Sequence, residues 1–206
     1  MAFTLRTMTE ADVQAVAALH VATFNETHTL NNNGPSYALR ESQWRAAFQE
    51  PADSWFGIVI ENEAGELIGF AKGRPHDGGV PGFQGELNKI YLLRRYHRLG
   101  LGRRLLCDVA RRFLERGMTS MLLFGEATNP SNGFYEAMGG ERLFARTGEF
   151  HGAYGWCDLH KLIVSVKRPE PAQEESSRTT EKLSAEEQMA LFEKELKEND
   201  WGHQPC

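Results

Sequence analysis

Residues 86–103 read Glu-Leu-Asn-Lys-Ile-Tyr-Leu-Leu-Arg-Arg-Tyr-His-Arg-Leu-Gly-Leu-Gly-Arg, and no other stretch of the 206-residue chain limits its fold as tightly. The apolar and aromatic residues up to Leu93 predict a strand over 86–93. After Gly102 the stripe Leu105, Leu106, Val109, Ala110, Phe113 and Leu114 repeats at helical spacing and stops at Gly117. The chain therefore passes from strand to helix through a turn that carries Gly100 and Gly102. A helix starts with unpartnered backbone N–H groups and a partial positive charge. Glycines let a ligand approach that backbone with no Cβ in the way. Together these make an anion cradle suited to a pyrophosphate, with Arg98, Arg103 and Arg104 adding charge around it. Two nucleotide loops are excluded: no Lys-Ser or Lys-Thr follows as in GxxxxGK[ST], and Leu105 stands where GxGxxG needs its third glycine.

The rest of the chain surrounds this unit with short mixed elements. A strand is predicted over 3–6, and Thr9 with Asp12 resembles a capping box opening a helix to about residue 24. A second helix is predicted over 36–49, stopped by Pro51, with a loop over 31–35 between the two. Strands over 55–62 and 66–74, joined by Glu63-Ala64-Gly65, read as a hairpin. Beyond the central helix come a buried strand over 120–125, a short helix over 130–138 ending at Gly139-Gly140, and strands over 141–146 and 154–164. The order βααβββαβαββ is that of a layered α/β domain of the α+β type. One domain is expected over 1–167, a flexible linker over 168–182, and an acidic tail with an amphipathic helix over 183–206. In that tail Met189, Phe192 and Leu196 share a face that would dock on its own domain, on a second copy in a homodimer, or on a partner, the alternative being a flexible, disordered tail.

Charge and cysteine usage narrow the class. The net charge of −5 is carried by residues 168–206, which hold five Lys and Arg against ten Asp and Glu. A neutral domain with an acidic tail has no general attraction for nucleic acid. The exception is residues 94–116, where eight arginines face Asp108 and Glu115 alone, either as a solvated helix face or as a field for a phosphate-rich ligand. Cys107, Cys157 and Cys206 are an odd, widely spaced set with neither zinc-ligand spacing nor a disulfide pattern, so no metal is expected and a cytoplasmic location fits. No apolar run approaches the ~18 residues of a membrane span, and no secretion signal is read at the N-terminus.

The pieces His97-Arg98-Leu99-Gly100-Leu101-Gly102 and Asn129-Pro130-Ser131-Asn132-Gly133-Phe134-Tyr135-Glu136-Ala137-Met138-Gly139-Gly140, in this order along the chain, resemble the GNAT acetyltransferase superfamily. Its signature is Gln/Arg-x-x-Gly-x-Gly/Ala after an apolar strand, with Asn-Pro-Ala-x-x-Phe-Tyr-Glu following later. The likeness covers about residues 3–165. It implies a mixed, mostly antiparallel sheet with helices on both faces, and acetyl-CoA as cosubstrate. His97 departs from the family's Gln/Arg, which implies weakened but retained cofactor binding.

The resemblance also implies roles. Ile90, Tyr91 and Leu92 would run along the pantetheine arm, with the Leu92 N–H as oxyanion donor. His97, Arg98, Leu99, Gly100, Leu101, Gly102 and Arg103 would hold the diphosphate. Asn129 would reach the pantetheine, and Tyr135 would sit beside the sulfur. The implied reaction is direct attack of a primary amine on the thioester through a tetrahedral intermediate. Tyr135 is the expected acid, since a phenol of reference pKa near 10 matches a thiolate. Glu86 is the expected base, directly or through water, or else a strand carboxylate paired with a nearby cation. His20, His28, Phe24, Tyr37, Trp44, Glu149 and His151 are further pocket candidates, and Cys107 reads as inert core. The expected acceptor is a small-molecule amine; the rivals are a protein or peptide N-acetyltransferase and a non-catalytic acyl-CoA-binding module whose tail recruits a partner.

Overall fold

The structure is a computed structural model that describes residues 2–28 and 34–164. The expected linker and tail helix lie outside the described residues, as does most of the loop expected over 31–35. Seven strands, β1 (Thr4–Thr7), β2 (Phe56–Glu61), β3 (Leu67–Pro75), β4 (Gly85–Leu92), β5 (Met121–Leu123), β6 (Glu141–Phe144) and β7 (Phe150–Trp156), form one sheet. Its order is β1-β2-β3-β4-β5-β7-β6. Only the β4–β5 pair is parallel, at the point where the chain crosses over through a helix. The helices are α1 (Val13–His28), α2 (Tyr37–Phe48), α3 (Leu101–Glu115), α4 (Asn132–Ala137) and α5 (Leu159–Val164).

Short polar contacts set the element ends. Asp12 accepts the Thr9 N–H at 2.7 Å and is gripped by Arg6 at 2.7 and 2.8 Å, which ties the entry of α1 to β1. The Arg6 guanidinium holds the Asp12 carboxyl down at about 2. Ser36 caps α2 by accepting the Leu39 N–H. Asn62 closes the β2–β3 hairpin by accepting the Ala64 and Glu66 N–H groups.

The two sheet faces follow from strand alternation. On β3, Phe70 packs against His20 and Trp44, so this face meets α1 and α2. The opposite face meets α3, where Phe56 and Phe113 cross edge to face at 5.0 Å. The α3 stripe foreseen in the sequence is buried there, with Leu105, Leu106, Val109, Ala110 and Phe113 fully enclosed. Helices thus cover both faces.

One expected element is corrected. The closing strand does not run over 154–164: β7 ends at Trp156, and the chain turns at Cys157 and Asp158 into α5. Asp158 accepts the His160 N–H, and the Leu159 N–H bonds the Thr119 carbonyl at 2.9 Å. Leu159 and Leu162, one helical turn apart, are buried in the core beside α3. The strand that does form begins earlier, so His151 lies on β7 rather than in the loop before it.

Candidate active site

β4 continues to Leu92, but its parallel ladder with β5 ends after Gly85–Met121 and Glu86–Leu122. An extra residue, Asn88, sits between the β3-paired Leu87 and Lys89. Such a bulge sharpens local twist and can end pairing with a neighbour. The strands separate beyond it and leave a cavity of about 340 Å³. Asn88, Ile90, Tyr91 and Leu92 line it from β4, Leu123 to Glu126 from the end of β5, and Phe24 and Thr27 from α1. His97, Asn129, Ser131 and Tyr135 complete the wall.

At one end of this cleft stands the turn into α3. Arg98 is held at φ 62°, a left-handed conformation rare for a residue with a side chain. Gly100, the residue that starts the helix, adopts φ 74°, which requires glycine. The Arg104 N–H is bonded to the Gly100 carbonyl, so the amides of Leu101, Gly102 and Arg103 precede any intrahelical acceptor. Leu101 is buried and pins the helix start to the core, while Arg98 and Leu99 are exposed. His97 donates its Nε2–H to the Leu92 carbonyl at 2.9 Å, fastening the turn to the end of β4. Gly102 is different from Gly100. Its backbone is not left-handed, and an added Cβ would meet only the Phe134 ring at an ordinary 3.5 Å. Neither conformation nor packing asks for glycine there.

The arginine-rich stretch is only partly available for that purpose. Arg94 is bonded to Glu26, Arg104 to the Phe3 carbonyl, and Arg111 and Arg112 to Asp108. Arg95 and Arg116 lie over the Tyr96 and Phe56 rings. Arg98 and Arg103, at the turn itself, are exposed.

Phe134 leads from Gly102 to its neighbour Tyr135, so the turn and the phenol border the same cleft. Tyr135 is 6% exposed and packs on Tyr154 and Trp156, yet its hydroxyl makes no hydrogen bond within the described residues. Burial, reinforced by Tyr91 and Tyr154, pushes the phenol well above its ordinary 10.0. Asn129 spends its Oδ1 on the Ser131 N–H at 2.8 Å, orienting its amide at the turn into α4. Glu86 is buried but is not part of the cavity wall. Its Oε2 accepts from Arg74 at 2.8 Å and its Oε1 from Asn88 at 2.7 Å. It stands one hydrogen bond behind the wall.

The further candidates separate. Phe24 lines the cleft, and His20 is buried 5.0 Å from the Tyr91 ring. Trp44 is core, and Tyr37 is exposed. Glu149 and His151 form an exposed pair at 3.6 Å away from the cavity wall. The His28 side chain is outside the described residues. Cys107 is fully buried, and burial pushes its thiol up. Sequence reasoning missed Asn88 and Glu126; the bulge that turns Asn88 to the cleft depends on register with β3, which no local pattern announces.

The whole arrangement suits one long ligand: an anion at the bare amides of α3, a polar arm along the free edge of β4, and a reactive end beside Tyr135. The sequence profile of the acetyltransferase (GNAT) family matches residues 15–140. An uncharacterised N-acetyltransferase of Bacillus subtilis, YuaI, is 32% identical over 177 residues, spanning 80% of this chain and 99% of its own. A GNAT-family acetyltransferase of Staphylococcus aureus Mu50 has a similar fold, with TM-score 0.61 and 14% identity over 77% of this chain and 99% of its own. So does the PaiA N-acetyltransferase of Thermoplasma acidophilum, solved in complex with coenzyme A, with TM-score 0.55 and 17% identity over 75% and 98%.

Proposed function

Because the chain belongs to the acetyltransferase (GNAT) family, we propose that it transfers an acetyl group from acetyl-CoA to the primary amine of a small molecule. The observation that carries this reading is the cleft between β4 and β5, whose wall holds both His97 of the turn into α3 and Tyr135, a phenol with no hydrogen bond among the described residues. Acetyl-CoA supplies an activated acyl carbonyl and a thiolate leaving group. Leu101, Gly102 and Arg103 would offer their backbone N–H groups to its diphosphate, with the Arg98 and Arg103 guanidiniums beside them. Ile90, Tyr91 and Leu92 would present the edge of β4 to its amide-bearing arm, and Asn129 its side-chain amide.

In the reaction the acceptor nitrogen bonds to the acyl carbon as the carbon–sulfur bond breaks. The nitrogen loses one proton and the sulfur gains one. Tyr135 Oη delivers the proton to sulfur. Its raised pKa keeps it protonated across the working range, and the same burial raises the basicity of a thiolate formed beside it, so donor and acceptor stay matched. Glu86 takes the amine proton through a water, since it does not touch the cleft. Phe24 and Thr27 of α1 close one side of the cleft, which favours a small acceptor over a peptide. A cytoplasmic site of action accords with the supply of acetyl-CoA, and among the described residues no helix is long and apolar enough to cross a membrane.

Thiol release from acetyl-CoA, followed over a panel of amines, tests the proposal. Tyr135→Phe is expected to lower kcat at least about tenfold, within the range of general acids, with CoA affinity retained. An unchanged kcat removes Tyr135 from the mechanism. CoA binding without thiol release from any amine or peptide leaves only a binding module.

A further inference from the structure

The face of the sheet that meets α1 and α2 carries an excess of positive charge next to the cleft. Lys72 on β3 stands opposite Lys89 on β4, and Arg74 stands opposite Glu86. Like charges directly across a ladder destabilise it. α2 adds Arg40, whose guanidinium lies over the Phe24 ring at 5.2 Å, and Phe24 is itself a wall of the cleft. Arg40 and Lys89 are not themselves in the cavity wall, but Arg40 packs on Phe24 and Lys89 stands two residues before Tyr91 on β4, and Phe24 and Tyr91 both are.

Protein anions answer only part of this charge. Glu86 is taken by Arg74 and Asn88. Glu50, half exposed, reaches Lys72 at only 3.9 Å. Lys89 and Arg40 have no carboxylate partner among the described residues; the Arg40 guanidinium donates one Nη–H to Gln43 Oε1 at 3.0 Å, while its buried Nε has no hydrogen-bond partner. The Nδ1 of His20, buried between them and Tyr91, is likewise unpartnered. Burial pushes Lys72, Lys89 and Arg40 below their ordinary values, and for Lys89 the neighbouring Lys72, Arg40 and Arg74 add to the shift. Half-buried cations with no carboxylate beside them, as at Arg40 and Lys89, are expensive to hold in place unless something supplies the missing charge.

Resting on the acetyl-transfer reading above, we infer that the acceptor is a small amino acid-like molecule whose carboxylate is held by Arg40 and Lys89 on the α1–α2 side of β4, with its amine toward Tyr91 and the cleft. A guanidinium fork and an ammonium are the usual partners of a carboxylate. The requirement selects acceptors by a second group, remote from the nitrogen that reacts.

The test compares thiol release from acetyl-CoA for matched amines: α- and ω-amino acids against their primary amides and the corresponding amines without a carboxylate. The carboxylate member of at least one pair is expected to have a kcat/KM at least about tenfold higher, the weight of one charge-assisted hydrogen bond or more. Arg40→Gln and, separately, Lys89→Met are expected to raise KM for that acceptor at least about tenfold, bringing the ratio within the pair toward one, with kcat changed far less and the Kd for CoA unchanged. Arg40→Lys, which keeps charge and loses the fork, is expected to fall between. Neutral members turned over as well as their carboxylates would overturn the inference and leave the acetyltransferase intact. Equal loss of kcat with all acceptors in both folded variants would also overturn it, assigning the cations to structure. CoA binding with no turnover of any amine, charged or neutral, would instead overturn the acetyl-transfer reading itself.

Discussion

At the scale of single residues, His20 makes a prediction that needs no substrate. Burial, helped by Arg40 and Lys89, pushes its pKa from 6.5 down to about 3. A group whose folded value is depressed takes up more protons when unfolded, so its contribution is complete above 6.5 and is lost as pH falls from there toward 3. Between pH 7 and pH 5 the protein should lose about 2 kcal/mol from this residue. The Asp12–Arg6 pair adds its own loss only below 3.8, as pH falls toward the Asp12 value of about 2. Urea unfolding of wild type and His20→Phe at the two pH values checks this: the variant's midpoint should be nearly flat over that interval, and an equal slope in both would place the pH sensitivity elsewhere. Glu86 divides in a similar way. If it removes the amine proton, Glu86→Gln lowers the rate on the order of a hundredfold near neutrality and recovers as rising pH deprotonates the amine. A deficit independent of pH would make Glu86 a brace that positions Asn88. The sequence pointed to Glu86 through a family position, but not to the Arg74 partner that occupies one of its oxygens, because that pairing arises from β3–β4 register.

At the scale of elements, the β4–turn–α3 unit was the most legible part of the chain. Its strand, its glycines and its helical stripe are local patterns, and the helix buries the residues the spacing selected. The β4 bulge was not legible, since one extra residue in a strand shows only when the partner strand is in place. The strand expected over 154–164 failed for a related reason: a short apolar run fits strand or helix equally, and here contacts with Thr119 and the α3 side of the core favoured α5. Gly102 carries the prediction at this scale. In the first turn of α3 it has room for a methyl group, so Gly102→Ala should raise stability by up to about 1 kcal/mol through helix propensity. The signature's final position admits alanine as well as glycine, so CoA affinity should change little. A fall in urea midpoint would mean that the Phe134 ring leaves no room for the methyl.

At the scale of the whole molecule, the layered fold and the family were readable because strand, turn and helix signals occur in a consistent order along the chain. The charge on the α1–α2 face was hidden: Arg40, Lys72, Arg74 and Lys89 lie on three separate elements of a domain whose charges balance, and only the fold assembles them. The concentration of arginine over 94–116, by contrast, drew attention to residues of which Arg94, Arg104, Arg112 and Arg116 tie α3 and its approach to the rest of the domain. The most direct measurement is calorimetric titration of coenzyme A into the wild-type chain and Gly102→Val, each first shown to be folded. Binding by the wild type, with affinity at least about a hundredfold weaker in the variant, is the predicted result, because a branched side chain would fill the space left for the diphosphate. Equal affinity in the two would contradict the account.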